Sequence, residues 1–232
     1  MRLPARFALA LALWLCGCYD MNDPADPAVL QAVAQEDMPR LRQLLDAGTP
    51  PDAPGVRVGF TPLQIAARQG SLETIRLLVA AGADPNLATG RNGWTPLLHA
   101  IHKHQVEAVD ELLRQGAAVD APGTSGLTPL VMAAGYGQTD MVDMLLEHGA
   151  DVWKPKSGGP LLAAVTGNFD IDAMTIGCCQ TETVRALLAH EPSLRQQAGN
   201  LGPLTKLYLH LRCHDVVTLL SAPEGEVKNP DK

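Results

Sequence analysis

An all-α repeat solenoid, built of helix-turn-helix units with β-hairpin fingers, is the fold class that this sequence predicts, on three observations. Gly59-Phe60-Thr61-Pro62-Leu63 returns as Gly93-Trp94-Thr95-Pro96-Leu97 and as Gly126-Leu127-Thr128-Pro129-Leu130, at steps of 34 and 33 residues, and a fixed period of that size marks stacked units. Gly82-Ala83-Asp84, Gly116-Ala117-Ala118 and Gly149-Ala150-Asp151 keep the same steps, with Ala47-Gly48 one step ahead of them. The third observation is composition: 232 residues, 46% hydrophobic and 19% charged, suit a globular protein, whereas 4% aromatic with 21 Gly and 18 Pro disfavours a β-sandwich and favours short helices joined by many turns. The formal charge of -7 argues against a nucleic-acid binder, which needs a basic footprint to displace counterions.

At the amino terminus, Arg2 and Arg6 precede an apolar run from Phe7 to Leu15, far short of the roughly 20 residues that span a bilayer, so residues 1–17 read as a secretory signal. Leu15-Cys16-Gly17-Cys18 resembles the lipobox of bacterial lipoproteins, which makes Cys18 the lipidated new terminus; Cys16 fits less well, with bulky Trp14 and Leu15 beside the cleaved bond. The resemblance implies a lipid-anchored, periplasm-facing protein, and Tyr19 rather than Asp after the cysteine points to the outer membrane over the inner. Residues 18–25 form a short tether, whose Tyr19–Asp26 stretch reaches at most about 28 Å.

Within each unit the residues have their own reasons. Thr61, Thr95 and Thr128 can N-cap a first helix, helix A, whose first residue is proline, where a missing N–H costs nothing. Leu63, Ala66 and Ala67 give that helix a narrow face for close stacking, and Gly70 and Gly137 permit the turn that follows. The second helix, helix B, carries apolar residues at helical spacing, such as Leu72, Ile75, Leu78 and Val79, or the core stripe Met141, Met144, Leu145 and Leu146. Gly82, Gly116 and Gly149 can end it in the left-handed conformation before the chain runs out as a finger. The flanking units are degraded, as caps should be. Asp26-Pro27 offers a cap and first-turn proline for a helix through Ala34, Met38 to Ala47 reads as helix B, a fifth unit starts at Gly159-Pro160-Leu161 and a sixth at Gly202-Pro203-Leu204. Residues 26–220 thus hold about six units. An insertion near 168–180 lengthens the fifth, and 221–232 reads as a disordered tail.

Thr-Pro-Leu, recurring in phase with Leu112-Leu113…Gly116-Ala117 and Leu145-Leu146…Gly149-Ala150, resembles the ankyrin repeat family over about Asp26 to Leu220. The family's usual His after Thr-Pro-Leu is replaced by Gln64, Leu98 and Val131, which puts its hydrogen-bonded turn network in doubt. The resemblance implies protein binding through the fingers and the concave face of helix A. Residues placed there are Arg57, Phe60, Arg68, Gln69, Arg91, Asn92, Trp94, His102, Lys103, Leu127 and Tyr136; Phe60 and Trp94 could instead pack between neighbouring fingers. With Lys154 and Lys156 these positions make the face basic, whereas helix B carries Glu73, Glu107, Asp110, Glu111, Asp140, Asp143, Glu147 and Glu182, read as solvated charges. The implied partner is a protein with an acidic surface, met by a monomer.

No nucleophile elbow, phosphate-binding loop, His-Glu-x-x-His or dinucleotide turn is present in the sequence, so the expectation is a non-enzymatic protein without cofactor or bound metal. In the envelope, Cys213 is expected to form a disulfide with Cys178 or Cys179, and the sequence leaves open which. A zinc set of His210, Cys213 and His214 with one of those cysteines matches no common spacing, and His99, His102 and His104 read as surface or capping histidines. The leading functional expectation is a tethered module that sequesters or inhibits an envelope-acting protein, in the manner of an immunity factor. Its rivals are an accessory to a periplasmic stress enzyme such as a catalase, and an envelope scaffold.

Overall fold

The computed structural model describes residues 25–56, 59–154, 159–166, 180–196 and 213–221. The expected leader and lipidation site Cys18, Arg57, Lys156, Cys178 and Cys179, His210, most of the insertion and the start of the sixth unit at Gly202 lie outside them.

Each Thr-Pro step starts a helix as its chemistry requires. The Thr61 hydroxyl accepts the Gln64 N–H at 3.2 Å, and Thr95 and Thr128 accept the N–H of Leu98 and Val131, both at 3.4 Å. Such a cap contributes about 1 kcal/mol. Helices α3 (Pro62–Gln69), α5 (Pro96–His102) and α7 (Pro129–Tyr136) follow, paired with α4 (Leu72–Ala80), α6 (Val106–Arg114) and α8 (Thr139–Glu147). Ahead of them stand α1 (Ala28–Ala34) and α2 (Met38–Asp46); after them come α9 (Gly159–Thr166), α10 (Thr181–His190), a 3-10 turn at Pro192–Leu194 and α11 (His214–Ser221). Two layers result: α1, α3, α5, α7 and α9 pack in sequence as one row, and α2, α4, α6, α8, α10 and α11 as the other. Leu63, Leu97, Leu130, Ile75, Leu112 and Leu145 are fully buried between the rows.

The turn between helices is left-handed in four units. Gly70 and Gly137 have φ of 73° and 69°, as their lack of Cβ allows, but the register-equivalent residues in the other two units are Glu36 and His104, with φ of 56° and 55°. A residue with a side chain is strained there, by about 1–2 kcal/mol. Gly82, Gly116 and Gly149 end helix B with φ of 94°, 90° and 84°.

Three corrections to the sequence reading concern the fingers and the first cap. Among the described residues there is no strand, only an isolated antiparallel bridge between Thr89 and Trp94. The fingers close on single bonds, Gly55 N–H to Phe60 O at 2.8 Å and Gly123 N–H to Leu127 O at 3.0 Å, too few to make a ladder. Asp26 does not cap α1; its carboxylate, 7% exposed, accepts the Val56 N–H at 2.8 Å and so ties the first finger to the chain's start. The turn network survives in one unit without histidine: Gln64 donates to the carbonyls of Leu87 and Trp94 at 3.0 and 2.8 Å and accepts from the Thr89 hydroxyl at 2.7 Å.

Units are stitched by side chains that repeat with the period. Asp52, Asn86 and Asp120 accept the N–H of Asp84, Ala118 and Asp151 in the next unit, at 3.1, 2.7 and 3.1 Å. Gln105 and Gln138, which head α6 and α8, reach back to the carbonyls of Arg68 and Ile101 at 3.2 and 2.9 Å. Cys213, just ahead of α11, is 2% exposed and half of a disulfide whose other half falls outside the described residues.

Candidate functional site

The residues that the sequence places on the partner-facing side fall into three groups. Arg91, Asn92 and Lys103 are exposed; Phe60, Arg68, Gln69, Trp94, His102, Leu127 and Tyr136 are half-buried; Arg57 is not described. The half-buried ones are not scattered. Phe60 lies edge-on to His99 with ring centroids 4.7 Å apart, Trp94 meets His99 at 5.4 Å and His102 at 5.1 Å, and His102 meets Tyr136 at 5.9 Å. His102 Nδ1 also hydrogen-bonds the Tyr136 hydroxyl at 2.9 Å. A continuous row of rings therefore crosses three units, from the finger before α3 to the end of α7. Edge-to-face ring pairs each contribute about 0.5–1.5 kcal/mol beyond burial, so the row also holds the units in register.

The row has a cation at one end. The Arg68 guanidinium stands 5.4 Å from the Phe60 ring centroid, with Nη1 3.4 Å from His99 Nδ1. Gln69 turns its amide toward the Val33 carbonyl at 3.4 Å, a contact between units. Trp94 takes part in finger packing as well: a Cβ on Gly123 would lie 2.8 Å from its Cδ1, and the Thr124 N–H and hydroxyl both bond the Asn92 carbonyl, at 3.0 and 2.8 Å.

His99 is not the surface or capping histidine that sequence spacing suggested. It is 2% exposed, in the helix A position that Ile65 and Met132 fill in the neighbouring units. Burial above all, then the positive fields of Arg68, His102 and Lys103, pushes its imidazole down to about 3, so it is neutral at ordinary pH. His102 sits half-buried in the ring row, and His104 in the turn places Nε2 3.8 Å from the exposed Asp140 carboxylate. Among the described residues no group of three or more His, Cys, Asp or Glu could hold a metal ion.

Helix B differs from the expected row of solvated acids. Glu73, Glu107, Asp140, Asp143 and Glu147 are exposed, but Glu111 is buried, bonded to Arg76 of the preceding unit at 2.7 Å and to Gln115 at 2.8 Å. The Arg76 bond first, then Gln115, holds its carboxyl below the usual range. Arg42 pairs with Glu73, and Arg114 with Asp110, so the acids of this row are partly neutralised by arginines on the same row. On the other face, Lys154 pairs with Asp120 at 3.5 Å. The charge contrast between the faces thus rests on the exposed Arg91 and Lys103. Sequence reasoning missed Trp153, 49% exposed, which takes the place in the fourth unit that Asp52, Asn86 and Asp120 hold in the others.

Family comparison matches an ankyrin repeat over residues 58–90 and ankyrin repeats, in 3 copies, over residues 82–156. The chain carries ankyrin repeats. The matched region spans α3 to α8, the units in which the Thr-Pro caps and the ring row lie. Ankyrin repeats generally mediate protein–protein interaction and are typically non-enzymatic binding modules. No curated protein matches the chain.

Proposed function

We propose that this ankyrin-repeat chain is a membrane-tethered, periplasm-facing binding module whose finger and helix A face takes the acidic surface of an envelope-acting protein and sequesters or inhibits it. The observation that carries the reading is the ring row of Phe60, His99, Trp94, His102 and Tyr136, flanked by the exposed cations Arg91 and Lys103. Aromatic and arginine side chains supply most interface energy, and cations beside them steer an acidic partner onto the face. The lipobox-like Leu15-Cys16-Gly17-Cys18 supports the address. Acyl chains on Cys18, each buried CH₂ contributing about 0.8 kcal/mol, hold the module at the outer membrane, and a bridge from Cys178 or Cys179 to Cys213 secures its last helix.

The test is affinity capture from native membranes with the lipidated chain as bait, beside Arg91→Glu/Lys103→Glu and the helix B control Glu147→Lys. The proposal expects one partner with wild type and control, its loss with the double reversal, and inhibition of that partner's activity by purified chain. Equal capture by the double reversal, or an activity indifferent to the chain, overturns it. For the anchor, Cys18→Ser is expected to accumulate as unprocessed precursor; correctly cleaved protein partitioning into the aqueous phase in both forms refutes lipidation.

A further inference from the structure

His99 breaks the rule of its own position. Helix A places Ile65, His99 and Met132 at the same register, all 2% exposed or less, so an apolar side chain serves for packing in both neighbouring units. The imidazole brings a polar cost that they avoid. A neutral imidazole has one donor and one acceptor. A guanidinium can only donate, so Nδ1, 3.4 Å from Arg68 Nη1, is the acceptor and the proton sits on Nε2. That Nε2 is buried with no hydrogen-bond partner. An unsatisfied buried donor is a known penalty, and such violations of local consistency gather at functional places.

What the histidine provides is a fixed place for Arg68. The guanidinium is held on two sides, by the face of Phe60 at 5.4 Å and by His99 Nδ1. Phe60 and Trp94 close on the imidazole edge-on from either finger, at 4.7 and 5.4 Å, which fixes the ring that does the holding. Ile65 or Met132 in that position would offer a guanidinium no acceptor.

We propose that His99 is a positioning residue of the binding face: it fixes the Arg68 guanidinium for bidentate pairing with a carboxylate of an acidic peptide segment in the partner. This rests on the acidic-partner reading above. Planar two-point recognition of a carboxylate requires the fork to be oriented in advance, which is why the anchor matters more for Arg68 than for the mobile, exposed Lys103.

The test uses the full chain, a synthetic Glu-rich decapeptide as probe, and the variants His99→Met, His99→Asn and Arg68→Gln. Two readouts are taken: the Arg68 Nε–H resonance by NMR, which reports the order of the guanidinium without any ligand, and decapeptide affinity by calorimetry at low salt. His99→Met, copying the neighbouring unit, is expected to fold with equal or higher melting temperature, to lose the ordered Arg68 signal and to weaken the peptide about tenfold, as Arg68→Gln does. His99→Asn, whose amide oxygen can stand in for Nδ1, is expected to restore both readouts. Once Arg68 is Gln, His99→Met is expected to weaken the peptide no further. An Arg68 signal unchanged in His99→Met, or peptide affinity that falls in Arg68→Gln but not in His99→Met, overturns the positioning role and leaves the acidic-partner reading standing. A wild-type chain that does not bind the decapeptide overturns that reading and this inference with it.

Discussion

Acidification from about pH 7.5 to about pH 5 is expected to destabilise the folded chain by about 2 kcal/mol through His99, and His99→Met is expected to remove that part of the loss. The imidazole is pushed from its ordinary 6.5 to about 3 in the folded state, by burial first and then by Arg68, His102 and Lys103. Because the folded value lies below the unfolded one, the unfolded chain takes up the proton first. The stability due to a neutral His99 is therefore whole above about pH 6.5, declines as pH falls below it, and is exhausted near pH 3. At pH 5 the unfolded imidazole is protonated and the folded one is not, across about 1.5 pH units at roughly 1.36 kcal/mol per unit, which gives the figure above. The assay is urea unfolding of wild type and His99→Met, followed by helical circular dichroism at both pH values. Half-exposed or exposed groups such as His102, His104 and His148 titrate in both proteins, so the difference between the two pH dependences isolates His99. An equal loss in the two proteins would refute the buried, neutral imidazole.

Other consequences can be checked by thermal melts and spectroscopy. His104→Gly, which relieves a left-handed residue with φ of 55°, is expected to raise stability by about 0.5–1 kcal/mol; a lower melting temperature would show that the turn is not strained. Glu111→Gln keeps the shape but removes the charge that Arg76 and Gln115 bind, and is expected to cost about 1–2 kcal/mol in urea unfolding, whereas the exposed Glu147→Gln costs nothing measurable. Gly123→Ala puts a Cβ 2.8 Å from Trp94 Cδ1; in a Trp153→Phe background it is expected to shift Trp94 emission and cost about 1–3 kcal/mol, and an unchanged spectrum would contradict the finger stacking. Cys213→Ser is expected to lower the melting temperature of oxidised protein and to abolish its response to reductant.

What could be read from sequence was what the period repeats with one residue type. Thr61, Thr95 and Thr128 cap because a hydroxyl before proline has few other uses, and Gly82, Gly116 and Gly149 end helix B because only glycine is at ease there. Where the same backbone state is filled by Glu36 and His104, residue chemistry gave no sign of it, although both stand in register with Gly70. Asp52, Asn86 and Asp120 were visible at a constant step, but their acceptor role depends on an N–H some thirty residues on that only stacking brings near. Gln64 held the turn network in doubt when judged by the missing histidine, yet an amide carries both the donor and the acceptor that the network needs. At the binding face, the candidate ring residues were legible from their positions. Their linkage into one row was not, because it passes through His99, a core residue whose polar side chain reads as surface when only its neighbours in sequence are considered.

The account's central claim is that a protein partner lies across the finger and helix A face of the middle units. Site-specific photo-crosslinking in living cells tests it most directly, with the photoreactive residue placed at Lys103 or Arg91 on that face and at Glu107 or Glu147 on helix B, all four exposed. The account predicts the same discrete adduct from Lys103 and Arg91, diminished by raised ionic strength in the medium around isolated envelopes, and none from Glu107 or Glu147. An adduct formed from the helix B positions and absent from Lys103 and Arg91 would contradict it.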